Sequence, residues 1–212
     1  ETRCRWYNQS HFWRQSLGGC LKKEGSICHV APGGKSCWAA WSGDSAPALL
    51  TLDATIEIAG PHGIRKLPLR DFYTNDGMDR ITLGRGEIVT TVHVPARMAA
   101  LRGVYHKLRV RDSIDYPLAG VAVSMDVDAS GTCRDARVAL TAVNPSPMLL
   151  PNVAALLTGK RWSEGLAQEV ANVAIRTGKP LTTSASTPVY RREMVNLFTR
   201  RALEAAWRVS SS

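Results

Sequence analysis

The chain has 212 residues, 44% hydrophobic and 21% charged, a composition that supports one or two small domains with real cores and excludes a disordered chain. No apolar run approaches the ~20 residues of a bilayer-spanning helix, so no membrane association is expected. Lysine and arginine number 27 against 18 aspartate and glutamate, a formal charge of +9. These basic residues are scattered and accompany no nucleic-acid reader motif, so the charge points to acidic protein partners and no nucleic acid.

Four of the five cysteines, Cys4, Cys20, Cys28 and Cys37, fall at the start of the chain. The stretch is rich in glycine, basic residues and aromatics (Trp6, Tyr7, Phe12, Trp13) and shows little apolar periodicity. It reads as a long loop without regular elements or a conventional core, which is uncommon unless the loop is functional. Something must fold it. Four thiolates around a metal centre suffice, and glycines beside them let the backbone come close. Two disulfides also suffice, but they require an oxidising compartment, for which these residues show no secretory signal. Structural zinc sites usually show a close CxxC-type pair, and the nearest spacing here is eight residues. Bacterial ferredoxin spacing is absent too. Spacing alone leaves zinc, disulfides, an iron–sulfur cluster and unligated thiols open.

Further along, residues 48–52 are apolar and residues 55–58 alternate as a strand does. A turn at Gly60, Pro61, His62 and Gly63 leads to a second short strand over 64–69, giving a hairpin. Residues 70–76 read as a connector, with Asp71 a helix cap. The run IVTTVHVP after Glu87 is a β-branched strand closed by Pro95. Residues 105–110, 118–127 and 136–143 predict a three-stranded antiparallel sheet, its last two strands joined by a turn over 128–131. A loop with Arg109, Arg111, Asp112 and Asp115 separates the first two.

Three helices complete the pattern. The first spans 150–157 and ends at Gly159. The second spans 163–177 with Ser163 as cap and a stripe of Leu166, Val170, Val173 and Ala174. The third spans 189–207, with Met194, Leu197, Phe198 and Leu203 inward. Its arginines (Arg191, Arg192, Arg200, Arg201) are assigned to a solvated face or a subunit contact. Residues 210–212 read as a frayed end. Cys133 reads as a free thiol in a strand turn. His11, His29, His62, His93 and His106 are spread over different elements, and no triad or carboxylate pair is readable. Only His29, beside Cys28, falls near the cysteine group, in a hydrogen-bonding rather than a ligating role.

The runs TRCRWYNQSHFWRQSLGGCLKKEGSICHV, GGKSCWAAWSGDSAPAL and YRREMVNLFTRRAL resemble the flavin subunits of 4-hydroxybenzoyl-CoA reductases, a branch of the molybdenum hydroxylase (xanthine oxidase) family. In that branch an inserted loop holds a four-iron four-sulfur (4Fe-4S) cluster, and Cys4, Cys20, Cys28 and Cys37 fall on its ligand pattern. The resemblance further implies that Asp44 contacts FAD and that Val89 lies on the strand beside the flavin ring. Lys107, Arg111 and Asp115 match a loop returning to the flavin, where a cation stabilises the anionic reduced ring. The implied fold is α+β. A cluster loop (1–38) precedes the remaining β-rich half of an FAD-binding domain (39–102). A C-terminal domain (103–209) then carries a three-stranded antiparallel sheet with a three-helix bundle.

In this family two glycine-rich loops hold the FAD pyrophosphate, and they would precede Glu1. The expectation is a chain corresponding to the C-terminal two thirds of a subunit, binding FAD poorly by itself. Implied partners are a large molybdopterin subunit, a small 2Fe-2S subunit and a ferredoxin-like electron donor. The implied reaction is reductive dehydroxylation of an aromatic acyl-CoA in an anaerobic cytoplasm, and no residue here is assigned to that substrate chemistry. A flavin subunit of an aldehyde or purine oxidoreductase, and a zinc- or disulfide-stapled binding module, are the alternatives.

Overall fold

The computed structural model describes residues 2–112 and 114–208. The expected frayed end and the last residue of the third segment, 209, lie outside the described residues.

The largest element is an antiparallel sheet of strands β6 (Arg102–Leu108), β7 (Ala119–Val127), β8 (Cys133–Thr141) and β9 (Met148–Leu149), in that order. The expected three strands therefore gain a fourth, only two residues long and below the reach of a periodicity argument. β7 is buried on both faces. Val121, Val123 and Met125 point into the main core. Between them, Ser124 turns the other way and shares a 2.7 Å hydrogen bond with Thr51.

The first of these faces is covered by helices α3 (Val153–Leu157), α4 (Glu164–Thr177) and α5 (Pro188–Arg208). α5 lies along β6 and β7 and α3 against β8, while α4 packs on α5 and α3, so the three expected helices pack together and also cover the sheet. The sheet's apolar face needs cover, and a separate bundle would leave it wet. In α4, Ser163 caps the helix by accepting from the Leu166 N–H at 3.2 Å. Its buried stripe is Ala167, Val170, Ala171 and Ala174, with Leu166 and Val173 on the flanks.

α5 departs most from expectation. Its buried stripe runs through Arg191, Val195, Thr199, Ala202, Leu203, Ala206 and Trp207. Met194 and Leu197 instead line an open groove with Ile175, and Phe198 is only partly buried. Arg191 is 1% exposed and does not belong to a solvated face. Its guanidinium donates to the carbonyls of Leu118 (2.7 Å), Leu181 (2.9 Å) and Ala142 and to the Thr183 hydroxyl. Backbone carbonyls from three separate segments thus take up the donors of a buried cation, Leu181 O sharing its lone pairs with the Thr183 N–H at 2.7 Å.

The other face of the large sheet meets α2 (Ser45–Thr51). A second sheet, of β4 (Gly63–Pro68), β3 (Thr55–Gly60) and β5 (Ile88–His93) in the order β4-β3-β5, continues from it. Ile56 and Ile58 point inward against Leu50, Leu69 and Phe72. Asp71 is not a helix cap. It lies inside a 3-10 turn, Leu69–Phe72, which Pro68 introduces and whose buried ends are Leu69 and Phe72.

The cysteine stretch is better ordered than its composition suggests. β1 (Thr2–Arg3) pairs with β2 (Ala40–Trp41), and a short helix, α1 (His11–Ser16), is capped by Ser10. It has a small core of Cys4, Cys37 and Ala39, with Trp6 and Tyr7 packed against it. Cys133 is not in a turn but opens β8, 1% exposed, with its thiol pushed up to about 11 by burial and then by Asp135 and Asp126. Among the described residues no helix is long and apolar enough to cross a membrane.

Candidate cofactor site

Cys4, Cys20, Cys28 and Cys37 line one cavity together with Trp6, Tyr7, Leu21, Lys22, His29 and Val30. Each cysteine is placed by its own local device. Cys4 directly follows β1, and the next backbone N–H, that of Arg5, donates to Thr183 O at 2.9 Å. Cys20 sits in a tight knuckle closed by Cys20 N–H to Lys23 O (3.1 Å) and Gly25 N–H to Cys20 O (3.0 Å). A Cβ at Gly25 would lie 2.4 Å from Cys20 N, so only glycine closes this turn. Cys28 accepts from the Ala31 N–H at 3.0 Å. Cys37 donates its N–H to Asp76 Oδ1 at 3.0 Å and accepts from Gly77 N–H at 2.8 Å.

The five cysteines are all free thiols in this structure. Burial raises the thiols of Cys4 and Cys37 above their ordinary value. Any metal centre held here must displace those protons. His29 Nε2 lies 2.6 Å from Gly19 O, and its ring stacks on Trp6 at 5.3 Å. The indole N–H of Trp6, in the cavity wall, is buried without a hydrogen-bond partner. A buried orphan donor beside four thiols fits a site built for a sulfur-rich group. Among the described residues no group of three or more His, Cys, Asp or Glu is gathered closely enough to hold a metal ion.

A second cluster lies at the start of α2. Asp44 precedes the helix but makes no capping bond. Its carboxylate instead accepts from Tyr105 Oη (2.8 Å) and Lys107 Nζ (2.9 Å). Tyr105 and Lys107 are two apart on β6 and so share a face. Lys107 also donates to Asp115 O at 2.9 Å. The Asp115 carboxylate accepts from the N–H groups of Val110, Arg111 and Tyr116, and Arg111 Nη2 lies 3.4 Å from it. Burial works against its charge, but these donors outweigh it and lower its pKa. The Tyr105 phenol is pushed well up, by burial first and the Asp44 carboxylate second. Asp44, Lys107 and Asp115 are thus one half-exposed network. Val89 is elsewhere, opposite Ile58 in the core of the second sheet.

Four contributors were not singled out from sequence: Trp6, Lys22, Asp76 and Gly77. Asn75-Asp76-Gly77 is a turn signature, with Asn75 at φ 60°, and was readable as a turn. Nothing local ties it to a cysteine 39 residues away.

Residues 16–97 match the family described as the FAD binding domain in molybdopterin dehydrogenase. Residues 104–206 match the CO dehydrogenase flavoprotein C-terminal domain. The carbon monoxide dehydrogenase medium chain of Hydrogenophaga pseudoflava is 30% identical over 184 residues, covering 86% of this chain and 59% of that protein. Among solved structures, reconstituted CO dehydrogenase from Oligotropha carboxidovorans superposes with TM-score 0.72 at 26% identity, covering 79% of this chain and 57% of that one. Quinoline 2-oxidoreductase from Pseudomonas putida 86 superposes with TM-score 0.68 at 25% identity, covering 94% and 64%. The chain spans less than two thirds of the length of these relatives.

Sheet, helices and matched domains together define a mixed α/β FAD-binding fold like that of the CO dehydrogenase medium chain. Residues 16–97 and 104–206 each fall in a domain family of molybdopterin dehydrogenase and CO dehydrogenase flavoproteins, and the chain is similar to FAD-binding subunits of molybdenum hydroxylases.

Proposed function

We propose that this chain is the flavin- and iron–sulfur-bearing part of a 4-hydroxybenzoyl-CoA reductase-like oxidoreductase. It would relay electrons from a ferredoxin-like donor towards a large molybdopterin subunit and a small 2Fe-2S subunit, for reductive chemistry on an aromatic acyl-CoA. The observation that carries the reading is the convergence of Cys4, Cys20, Cys28 and Cys37 on one cavity with an unpartnered indole N–H in its wall.

The four thiols would hold a 4Fe-4S cluster, and the Asp44–Lys107–Asp115 network would meet the polar edge of FAD. When bound, these groups supply one-electron and two-electron transfer. The protein's own contribution is placement and charge. Trp6, Tyr7, Leu21 and Val30 give the cavity an apolar wall that limits water. Lys107, fixed between Asp44 and Asp115, keeps a cation where negative charge would develop on a reduced ring. Around the cysteines, residues 2–38 carry six basic residues (Arg3, Arg5, Arg14, Lys22, Lys23, Lys35) against Glu24, a net charge of +5. Phe12 (81%), Trp13 (38%) and Leu17 (41%) are exposed there. A cationic face with apolar anchors suits an acidic donor protein.

A second reading keeps the flavin role and changes the substrate. The relatives above are named for carbon monoxide and quinoline oxidation, which favours another molybdenum hydroxylase. Turnover of the assembled complex on an aromatic acyl-CoA, compared with aldehydes, purines and carbon monoxide, separates the two.

The cluster is tested by anaerobic reconstitution with iron and sulfide, metal analysis and EPR of the reduced protein. We expect about four irons per chain, lost in Cys20→Ser and retained in Cys133→Ser. Undiminished cluster content in Cys20→Ser would sink the ligand assignment.

A further inference from the structure

We propose that Lys22 is a positioning cation of the four-thiol cavity, fixing positive charge beside the cysteines and raising the reduction potential of a cluster held by them. The inference rests on the cluster reading above. Lys22 lines the cavity with all four cysteines, and no carboxylate is among the described residues that line it. Its position is held from two sides. Nζ donates to Gly77 O at 2.6 Å and lies 5.5 Å from the centroid of the Tyr7 ring. Gly77 is also the residue whose N–H binds Cys37 O. One glycine behind Cys37 therefore fixes both that cysteine and the ammonium.

The physical consequence is electrostatic. Each electron added to a cluster with four thiolates adds one negative charge inside a wall of Trp6, Tyr7, Leu21 and Val30. An apolar wall makes that addition unfavourable, and a fixed cation on the same cavity offsets it. Burial first and Arg80 second lower the pKa of this ammonium, and attraction to Cys37, Cys20 and Cys4 offsets part of that. The hydrogen bond to a backbone carbonyl holds the ammonium in place.

The test uses the full chain and three forms: wild type, Lys22→Gln and Lys22→Arg. Glutamine keeps a donor for Gly77 O and removes the charge, so the knuckle keeps its tether; arginine restores the charge. At equal iron and sulfide content, spectroelectrochemical titration of Lys22→Gln should show a reduction equilibrium at least about tenfold less favourable, roughly 59 mV for a one-electron couple. Lys22→Arg should recover most of it. Equal potentials in wild type and Lys22→Gln, or an arginine variant that behaves like glutamine, overturn the proposal.

A second readout needs no cluster. In the metal-free protein, anionic iodoacetate and neutral iodoacetamide compete for the thiols. The iodoacetate-to-iodoacetamide rate ratio should fall several-fold in Lys22→Gln and return in Lys22→Arg. An unchanged ratio overturns the charge assignment at Lys22. Failure of the wild type to take up iron overturns the cluster reading instead, and the alkylation ratio still decides Lys22.

Discussion

Cys37 and Gly77 approach so closely that no side chain fits between them. A Cβ at position 77 would lie 2.8 Å from Cys37 Sγ and 3.0 Å from Cys37 O. The cysteine stretch and the turn after the second sheet's hairpin are thus in contact at a thiol.

Gly77→Ala should therefore disturb Cys37 specifically. The contact is with a sulfur and a backbone oxygen, neither of which can swing away as a long side chain would. We expect iron content after reconstitution to fall by half or more, while the circular dichroism of the large sheet and helices stays as in wild type. Full iron content in Gly77→Ala would show that the thiol has room to shift.

Asp44→Asn and Lys107→Met, made in a subunit that carries bound FAD, should lower flavin retention or shift the flavin potential downward, with iron content unchanged. Lys107 is 21% exposed at its side chain and bridges Asp44 and Asp115 O, so losing it releases both partners. Flavin content and a redox titration measure this. Values equal to wild type in both variants would return the network to surface ion pairing, worth ~1 kcal/mol or less.

The second sheet should carry an acid-sensitive clamp. Hydrogen bonds from Arg65 (2.9 and 2.7 Å) and from the Gly84 N–H (2.6 Å) hold the Glu87 carboxyl down to about 2, from an ordinary value of 4.5. A depressed folded-state pKa gives stability that is fully present above the unfolded value and is lost as pH falls through the folded one. The loss should run from about pH 4.5 down to about pH 2. Glu87→Gln should flatten thermal stability against pH in that window and change nothing of its slope near neutrality. An identical acid limb in the variant would remove Glu87 from the account.

Arg191→Met should be strongly destabilising for a surface-looking arginine. The Leu118 and Ala142 carbonyls lose a buried donor, while Leu181 O keeps the Thr183 N–H, and leaving such groups unsatisfied costs about 1–3 kcal/mol each before relaxation. We expect a net loss of about 3 kcal/mol, a fall in Tm of roughly 6–12 °C for a chain of this size. Arg192→Met, one position along on the groove side, should shift Tm by less than about 2 °C. Similar shifts in the two variants would contradict the burial difference.

Local features were legible in the sequence. The β-branched run 88–93, the hairpin around Pro61 and the Ser163 cap depend on neighbours a few residues away, and each formed as read. Asp44, Lys107 and Asp115 were reached through family likeness, and the structure joins them by hydrogen bonds. What stayed hidden depends on distant partners. Arg191 looks like one of four helix arginines until the carbonyls of residues 118, 142 and 181 surround it. Met194 and Leu197 look like core because they are apolar, but the stripe through Arg191, Val195 and Thr199 turns them outward. Lys22 is one of two adjacent lysines until Gly77, 55 residues on, accepts from it.

Arg191 also ties three separate segments of the chain to one side chain. Its partners sit just before β7, just after β8, and in the turn ahead of α5. A guanidinium leaves water at high cost unless its acceptors are in place, so the buried seat of α5 depends on the paired strands and the closed turn together. Thr183, whose hydroxyl Arg191 binds, also accepts the Arg5 N–H beside Cys4. The latch that seals the helix layer is thereby joined to the backbone beside the first cysteine.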